Sequence, residues 1–276
     1  MRVGPSLSAA TFALAMLTAC AGPHQRFDRV AEELGFTRET VRGKGFSHVV
    51  YVRNRADAAD ALHVYFAGDG TPWLRRSTIA LDPTPRRPLT LRLTAMDPGP
   101  AVLIGRPCYH GLAGSDDCSP LYWTHWRYSE PVVASLAQAV SALVKAQGRR
   151  SVRLFGYSGG GTMAVLVAER LQATQAVVTV AANLDHRRWA QLHGYDRLKG
   201  SLEPDAGALR KGIYQLHLVG SEDRNIPPGL LRAALGDARD TLKVVDGYDH
   251  RCCWEKLWPS VLERVAPALG SDRAPR

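Results

Sequence analysis

The residues best suited to chemistry lie in the run Gly156-Tyr157-Ser158-Gly159-Gly160-Gly161, directly after the apolar stretch 152–155. An apolar stretch, a cluster of glycines and a helix-forming segment predict a strand, a sharp turn and a helix. The pattern Gly-x-Ser-x-Gly in that setting puts the serine at the apex of the turn, where the flanking glycines let strand and helix pack closely. Ser158 is therefore the candidate nucleophile. Because a serine hydroxyl is a poor nucleophile alone, it needs a base and an acid from elsewhere in the chain.

Two later segments supply such groups in order. Asp223 follows an apolar run at 213–220, and His250 follows another at 241–245. A carboxylate after one strand and a histidine after the next give the order serine, aspartate, histidine, which resembles that of the α/β-hydrolases. The resemblance runs from about residue 46 to residue 269. Asp185 is the competing acid, since some members of the superfamily take it from the preceding strand end, whereas Asp249 is too close in sequence to reach the imidazole Nδ1.

The resemblance implies a mechanism with named donors. His250 would take the proton of the serine, and Asp223 would fix the tautomer of the imidazole and stabilise the imidazolium. The oxyanion would be bound by the backbone N–H of Gly159 and by a second N–H in the loop after the strand 62–66. That loop reads Ala-Gly-Asp-Gly where His-Gly-Gly-Gly is commoner, so the second donor is Asp69, with Gly70 as the alternative. A simple Gly-Asp-Gly hairpin turn is the other interpretation of this loop.

Four aromatic residues are candidates for the wall of a substrate pocket: Trp73, Tyr157, Trp123 and Trp126. Aromatic residues in such loops serve packing as often as recognition. A carboxylic ester or lipid-like acyl compound is the first choice of substrate, and a peptidase or amidase of the same fold is the alternative. A non-catalytic binding lipoprotein is the competing class. The chemistry calls for no cofactor and no metal.

Strands alternate with helix-like patterns, which predicts an α/β fold with a mostly parallel central sheet and helices on both faces, as in α/β-hydrolases. One helix is well marked, with Ser129 as its N-cap, Glu130 and Pro131 in its first turn and Gly148 as its stop. The stretch 184–210, after the sixth strand of such a sheet, is expected to form a small cap. The predicted organisation is a signal peptide at 1–19, a tether and lead-in at 20–45, a hydrolase domain at 46–269 and a disordered tail at 270–276.

The N-terminus predicts export and lipidation. Arg2 precedes an apolar segment from Leu7 to Leu17, which is too short to span a bilayer and fits a signal peptide. The following Thr-Ala-Cys, ending at Cys20, resembles the lipobox of bacterial lipoproteins, whose cysteine becomes the lipidated first residue. An ordinary secretory signal is the alternative. Because Ala21 follows the cysteine, the resemblance implies a periplasm-facing protein held at the outer membrane by its lipid anchor only.

The other four cysteines are Cys108, Cys118, Cys252 and Cys253. An even number in an oxidising compartment predicts disulfides, with three possible connectivities. A Cys108–Cys118 bond would close one loop, and the vicinal Cys252–Cys253 bond that would accompany it is uncommon. Bonds between the two loops would instead hold the segment around His250 against the Tyr122-Trp123 region. A metal site is a poorer interpretation, because no Cys-x-x-Cys pair is present.

The chain of 276 residues has a formal net charge of +9. Its basic residues are scattered and it contains no nucleic-acid-binding motif, so we do not expect it to bind nucleic acid. The expected partner is a small-molecule or lipid-like acyl substrate. The sequence leaves the oligomeric state open.

Overall fold

The computed structural model describes residues 21–53, 60–75 and 77–265. The strands of its main sheet are β1 (Thr37–Arg42), β2 (Ser47–Val52), β3 (Ala61–Phe66), β6 (Ala101–Ile104), β7 (Ser151–Tyr157), β8 (Thr174–Val180), β9 (Tyr214–Gly220) and β10 (Leu242–Val245). They lie in the order β1-β2-β6-β3-β7-β8-β9-β10. β2 is antiparallel to both of its neighbours, and the strands from β6 to β10 pair in parallel. Two short strands, β4 (Trp73–Arg75) and β5 (Thr78–Ile79), form a hairpin outside this sheet.

Helices cover both faces of the sheet, as predicted. The described helices are α1 (Pro23–Glu33), α2 (Leu89–Met96), α3 (Glu130–Ala146), α4 (Gly159–Ala168), α5 (His186–His193), α6 (Pro228–Leu235) and α7 (Trp254–Val265). Residues of α3, α4 and α6 share one hydrophobic cluster, and those of α1, α2 and α7 share another. Successive strand residues alternate between the two, so Val64 belongs to the first and Tyr65 to the second. Burial on both faces explains why the central strands are continuous apolar runs.

The helix predicted between Ser129 and Gly148 is confirmed as α3. It begins after Ser129, has Pro131 in its first turn and buries the apolar side chains Val132, Leu136 and Val140. It packs on the sheet beside α4, whose residues from Gly159 to Ala168 are all buried. This packing holds α4 in place, the helix that starts directly after the predicted nucleophile Ser158.

The lead-in segment is part of the folded body. Phe27 and Ala31 of α1 are buried, and the Phe27 ring lies 5.2 Å from that of Tyr51. β1 then pairs with β2 along its whole length. The sheet therefore begins before the predicted boundary at residue 46. Sequence analysis missed β1 because it is an edge strand with mostly exposed, polar side chains, and so lacks an alternating apolar pattern.

The stretch between β8 and β9 forms the short helix α5 and a 3₁₀ turn at Ala206–Ala208, which is a small cap. None of the helices in the described ranges is long and apolar enough to span a bilayer. The predicted signal peptide with Cys20 and the predicted tail at 270–276 lie outside the described residues. Because β3, β7, β9 and β10 are parallel, the loops that follow them meet at one edge of the sheet.

Candidate active site

Ser158 lies in the sharp turn between β7 and α4. Its backbone has φ +53° and ψ −124°, a strained combination for a residue with a side chain. A methyl group on Gly156 would overlap the backbone of Gly160, and one on Gly160 would overlap the carbonyl of Phe66 at the end of β3. The two glycines of the Gly-x-Ser-x-Gly pattern are therefore required by close backbone contact, and this contact holds the serine at the sheet edge.

The structure brings Ser158, His250 and Asp223 together. Ser158 Oγ lies 3.1 Å from His250 Nε2, and His250 Nδ1 lies 2.9 Å from Asp223 Oδ2. Because an ionised carboxylate can only accept, His250 donates from Nδ1 and leaves its Nε2 lone pair facing the serine hydroxyl. The Asp223 side chain is fully buried, and that of His250 is 17% exposed.

Local turns orient these groups. Asp223 Oδ1 accepts hydrogen bonds from the backbone N–H groups of Asn225 and Ile226, at 2.9 and 2.8 Å, which leaves Oδ2 for the histidine. The carbonyl of His250 accepts a hydrogen bond of 2.9 Å from the hydroxyl of Tyr157. The rings of Tyr157 and His250 lie 5.4 Å apart. The Asp223 carboxylate is thus held by the backbone of its own loop, and the backbone of the histidine loop is held by the Tyr157 side chain at the end of β7.

Asp185, the competing candidate for the acid, caps a helix and does not contact His250. Its carboxylate accepts a hydrogen bond of 2.9 Å from the backbone N–H of Arg188 and forms an ion pair with the Arg188 side chain at 3.3 Å. It is therefore the N-cap of α5. Asp249, the neighbour of the histidine, accepts from the backbone N–H groups of Arg251 and Cys252. Asp223 is the carboxylate that contacts His250.

Asn225 also contacts the histidine, and sequence analysis missed it. Asn225 Nδ2 lies 3.1 Å from His250 Nε2, and Asn225 Oδ1 lies 3.3 Å from Trp189 Nε1. Because an indole nitrogen can only donate, the amide oxygen must face Trp189 and the amide nitrogen must face His250. The Asn225 carbonyl accepts from His193 Nε2 at 2.9 Å, so α5 is connected to the imidazole through this residue. The one sequence signal was its position two residues after Asp223.

The loop after β3 lies against the nucleophile. A methyl group on Gly68 would lie 3.4 Å from Ser158 Cβ, and one on Gly159 would overlap the Asp69 carboxylate. Gly159 is the first residue of α4, so its N–H has no partner in the helix and lies at the positive end of the helix dipole. Gly70, with φ +68°, turns the chain against Pro83.

A cluster of buried ionic and phenolic groups fixes Asp69. Its Oδ1 lies 2.8 Å from Arg106 and 2.6 Å from the Tyr128 hydroxyl, and its Oδ2 lies 2.9 Å from Arg127. Its backbone carbonyl accepts a hydrogen bond of 2.9 Å from the Tyr109 hydroxyl. Burial by itself would raise the pKa of Asp69, but the two guanidinium groups and the Tyr128 hydroxyl lower it to about 2. The carboxylate thus ties the loop to two segments, the one that follows β6 and the one that precedes α3.

The four aromatic candidates lie in different environments. Trp123 is buried beside the disulfide of Cys108, and its indole N–H donates to the Ala80 carbonyl at 3.1 Å, which is a packing role and not that of a pocket wall. Trp73 has its ring 6.1 Å from that of His125. Trp126 is 39% exposed. Tyr157 lies beside His250, as described above.

The four described cysteines form two disulfides. Cys108 and Cys118, with Cα atoms 5.6 Å apart, close the loop that packs on Trp123. Cys252 and Cys253 are joined to each other just after the histidine. Of the three possible connectivities, the structure thus has the one that includes the vicinal Cys252–Cys253 bond, although such bonds are uncommon. Neither disulfide joins the two loops.

No family model and no curated protein matches this chain. Solved structures do match it. XC6422 from Xanthomonas campestris, an α/β serine hydrolase without a lid, is 14% identical over 85% of this chain and 93% of its own, with a TM-score of 0.51. A puromycin-hydrolyzing peptidase from Mycobacterium tuberculosis is 14% identical over 85% of this chain and 40% of its own, with a TM-score of 0.56. A hormone-sensitive lipase from a metagenome library is 15% identical over 91% of this chain and 94% of its own, with a TM-score of 0.52. At these identities the likeness shows the α/β-hydrolase fold and confirms the predicted fold class.

Proposed function

We propose that the protein is a serine hydrolase that cleaves a carboxylic ester or related acyl substrate through an acyl-enzyme. The observation that carries this proposal is the line of contacts from Asp223 through His250 to Ser158, with distances of 2.9 and 3.1 Å. The strained serine turn supports it, because such strain is typical of functional sites. His250 takes the serine proton as Ser158 attacks the acyl carbonyl, and returns it to the leaving group.

The oxyanion of the tetrahedral intermediate is bound by the N–H of Gly159 and by that of Asp69, with Gly70 as the alternative. Each such donor is worth about 3 kcal/mol of transition-state stabilisation. The contacts of Asp69 with two arginines and Tyr128 support its assignment, since they hold the loop next to Gly159. Gly70 is the weaker candidate because it turns against Pro83.

Hydrolysis of p-nitrophenyl esters of graded chain length, beside aminoacyl amides, tests the reaction class. We expect ester cleavage that falls about 10⁴-fold or more in Ser158→Ala, because the nucleophile is lost while the fold is kept. Cleavage of amides alone would favour the peptidase alternative, the activity for which the Mycobacterium tuberculosis protein is named. A folded protein that cleaves neither class would favour a non-catalytic binding lipoprotein.

For location, we propose a lipid-anchored protein of the bacterial cell envelope, with Cys20 lipidated and the hydrolase facing the periplasm. The Cys108–Cys118 disulfide supports an oxidising compartment. Globomycin, which blocks lipoprotein signal peptidase, is expected to make the precursor accumulate. Normal processing in its presence would contradict the lipoprotein proposal.

A further inference from the structure

Three apolar side chains are exposed together on the excursion that contains the β4–β5 hairpin. Leu74 is 50% exposed, Ile79 37% and Leu81 91%. Single exposed apolar residues are ordinary on protein surfaces. Three of them within eight residues of one excursion are a local concentration of exposed apolar side chains, and we call these three residues the hairpin face.

Positive charge borders the hairpin face. Arg75, Arg86 and Arg87 are exposed, and within the described ranges none of them forms an ion pair with a carboxylate. The nearby carboxylate, Asp82, is occupied by His24, whose backbone N–H and Nδ1 lie 3.0 and 2.8 Å from Asp82 Oδ2. Exposed apolar side chains bordered by unpaired arginines are the composition with which proteins bind anionic membrane surfaces.

The chain enters the folded body beside this face. α1 begins at Pro23, and the contact of His24 with Asp82 holds that beginning next to Leu81. The twenty residues that precede the described part of the chain contain the apolar segment from Leu7 to Leu17. Whether that segment is kept or is replaced by a lipid on Cys20, the membrane-directed end of the chain leaves the fold at the hairpin face.

The hairpin face also adjoins the candidate active site. The excursion starts at Thr71, directly after the loop that lies against Ser158, and closes where the Thr71 N–H donates to the Pro83 carbonyl at 2.9 Å. Arg87 lies near enough to Tyr157 for its charge to oppose the rise in the Tyr157 pKa that burial causes. A surface that covers the hairpin face would therefore lie at the rim of the site.

We infer that the hairpin face docks on the surface of an anionic lipid bilayer, with Leu74, Ile79 and Leu81 in the interface and Arg75, Arg86 and Arg87 against the phospholipid headgroups. A tether alone would let the protein rotate freely above the membrane. Docking fixes one orientation, with the rim of the Ser158 site at the membrane surface. The inference concerns binding, and it holds whether or not Ser158 is a nucleophile.

Hydrogen–deuterium exchange of the full chain tests this inference. The chain is reconstituted in vesicles of phosphatidylglycerol and phosphatidylcholine, in vesicles of phosphatidylcholine alone, and in detergent. We expect slower exchange over residues 71–87 in the phosphatidylglycerol vesicles only, and we expect the protection to weaken as salt screens the arginines. Unchanged exchange in this segment, or protection confined to another face, would overturn the inference even if the chain remains tethered.

Two matched variants make the test specific. Leu81→Ser is expected to lower the vesicle-dependent protection about tenfold, equivalent to about 1.4 kcal/mol. Leu192→Ser changes a leucine on α5 that is 56% exposed, and it is expected to leave the protection unchanged. Because both side chains are exposed, both variants should fold, which an unchanged melting temperature would verify. An equal loss in the two variants, or no loss in Leu81→Ser, would overturn the assignment.

Discussion

Replacing Asp69 with asparagine is expected to destabilise the fold by about 2–4 kcal/mol. The carboxylate lies between Arg106 and Arg127, whose side chains are only 3% and 7% exposed. Lowering the pKa of Asp69 from 3.8 to about 2 corresponds to about 2 kcal/mol of stabilisation. Removal of one member of a buried ion pair typically costs about 3–5 kcal/mol, because the other charge stays buried. For a domain of this size, the melting temperature should fall by roughly 5–15 °C.

Thermal unfolding followed by circular dichroism measures this effect, and Asp60→Asn is the matched control. Asp60 pairs with Arg150 at 2.5 Å, but the two side chains are 66% and 78% exposed. Such surface pairs contribute about 0–1 kcal/mol, so the control should melt within a few degrees of the parent. Equal melting temperatures for the two variants would refute the argument that the Asp69 cluster stabilises the loop.

The same cluster predicts a dependence on pH. The folded-state pKa of Asp69 lies below its unfolded value of 3.8, so its contribution is fully present above that value and is lost as pH falls through about 2. The difference in stability between the parent and Asp69→Asn should therefore be constant near neutral pH and shrink below about pH 4. A difference that stays constant down to pH 2 would contradict the ionised state of this carboxylate.

Three further changes test other parts of the structure. Asp223→Asn should lower kcat by about 10⁴-fold with little change in KM, because an amide no longer fixes the imidazole tautomer; an unchanged steady-state rate would contradict that role. Asn225→Ala should raise kcat/KM by up to about fivefold, equivalent to about 1 kcal/mol, because the Asn225 amide no longer competes with the Ser158 hydroxyl for the single lone pair of His250 Nε2; a loss of tenfold or more would contradict this competition and indicate that Asn225 contacts the substrate. The double variant Cys108→Ser/Cys118→Ser should melt roughly 5–10 °C lower, because a disulfide across a short loop contributes about 2–3 kcal/mol. An unchanged melt in calorimetry would mean that this bond is not formed in solution.

The sequence carried enough information for the strand–turn–helix around Ser158 because glycine spacing and apolar runs are local signals. The positions of Asp223 and His250 relative to their strands followed from the same kind of signal. Their distances from Ser158 did not, because they depend on how β7, β9 and β10 are placed in the sheet.

Other features required three-dimensional information. The sequence marks Asp69 only as a backbone N–H donor. It gives no sign of the contacts of its carboxylate, since Arg106 and Arg127 are remote from it in sequence. Asn225 is marked in the sequence only by its position two residues after Asp223, because its contacts come from α5 and from the histidine loop. The edge strand β1 lacks an apolar pattern, and the pairing of adjacent Cys252 and Cys253 is a choice that cysteine counting leaves open.

The joint action of Ser158 and His250 is tested most directly by the rate at which a fluorophosphonate modifies the protein, with the adduct located by peptide mapping. We expect a single adduct on Ser158, formed at least about 10³-fold more slowly in His250→Ala at an unchanged melting temperature. An adduct on another residue, or an equal rate in the His250→Ala variant, would contradict the proposal that these side chains act together as a nucleophile and its base.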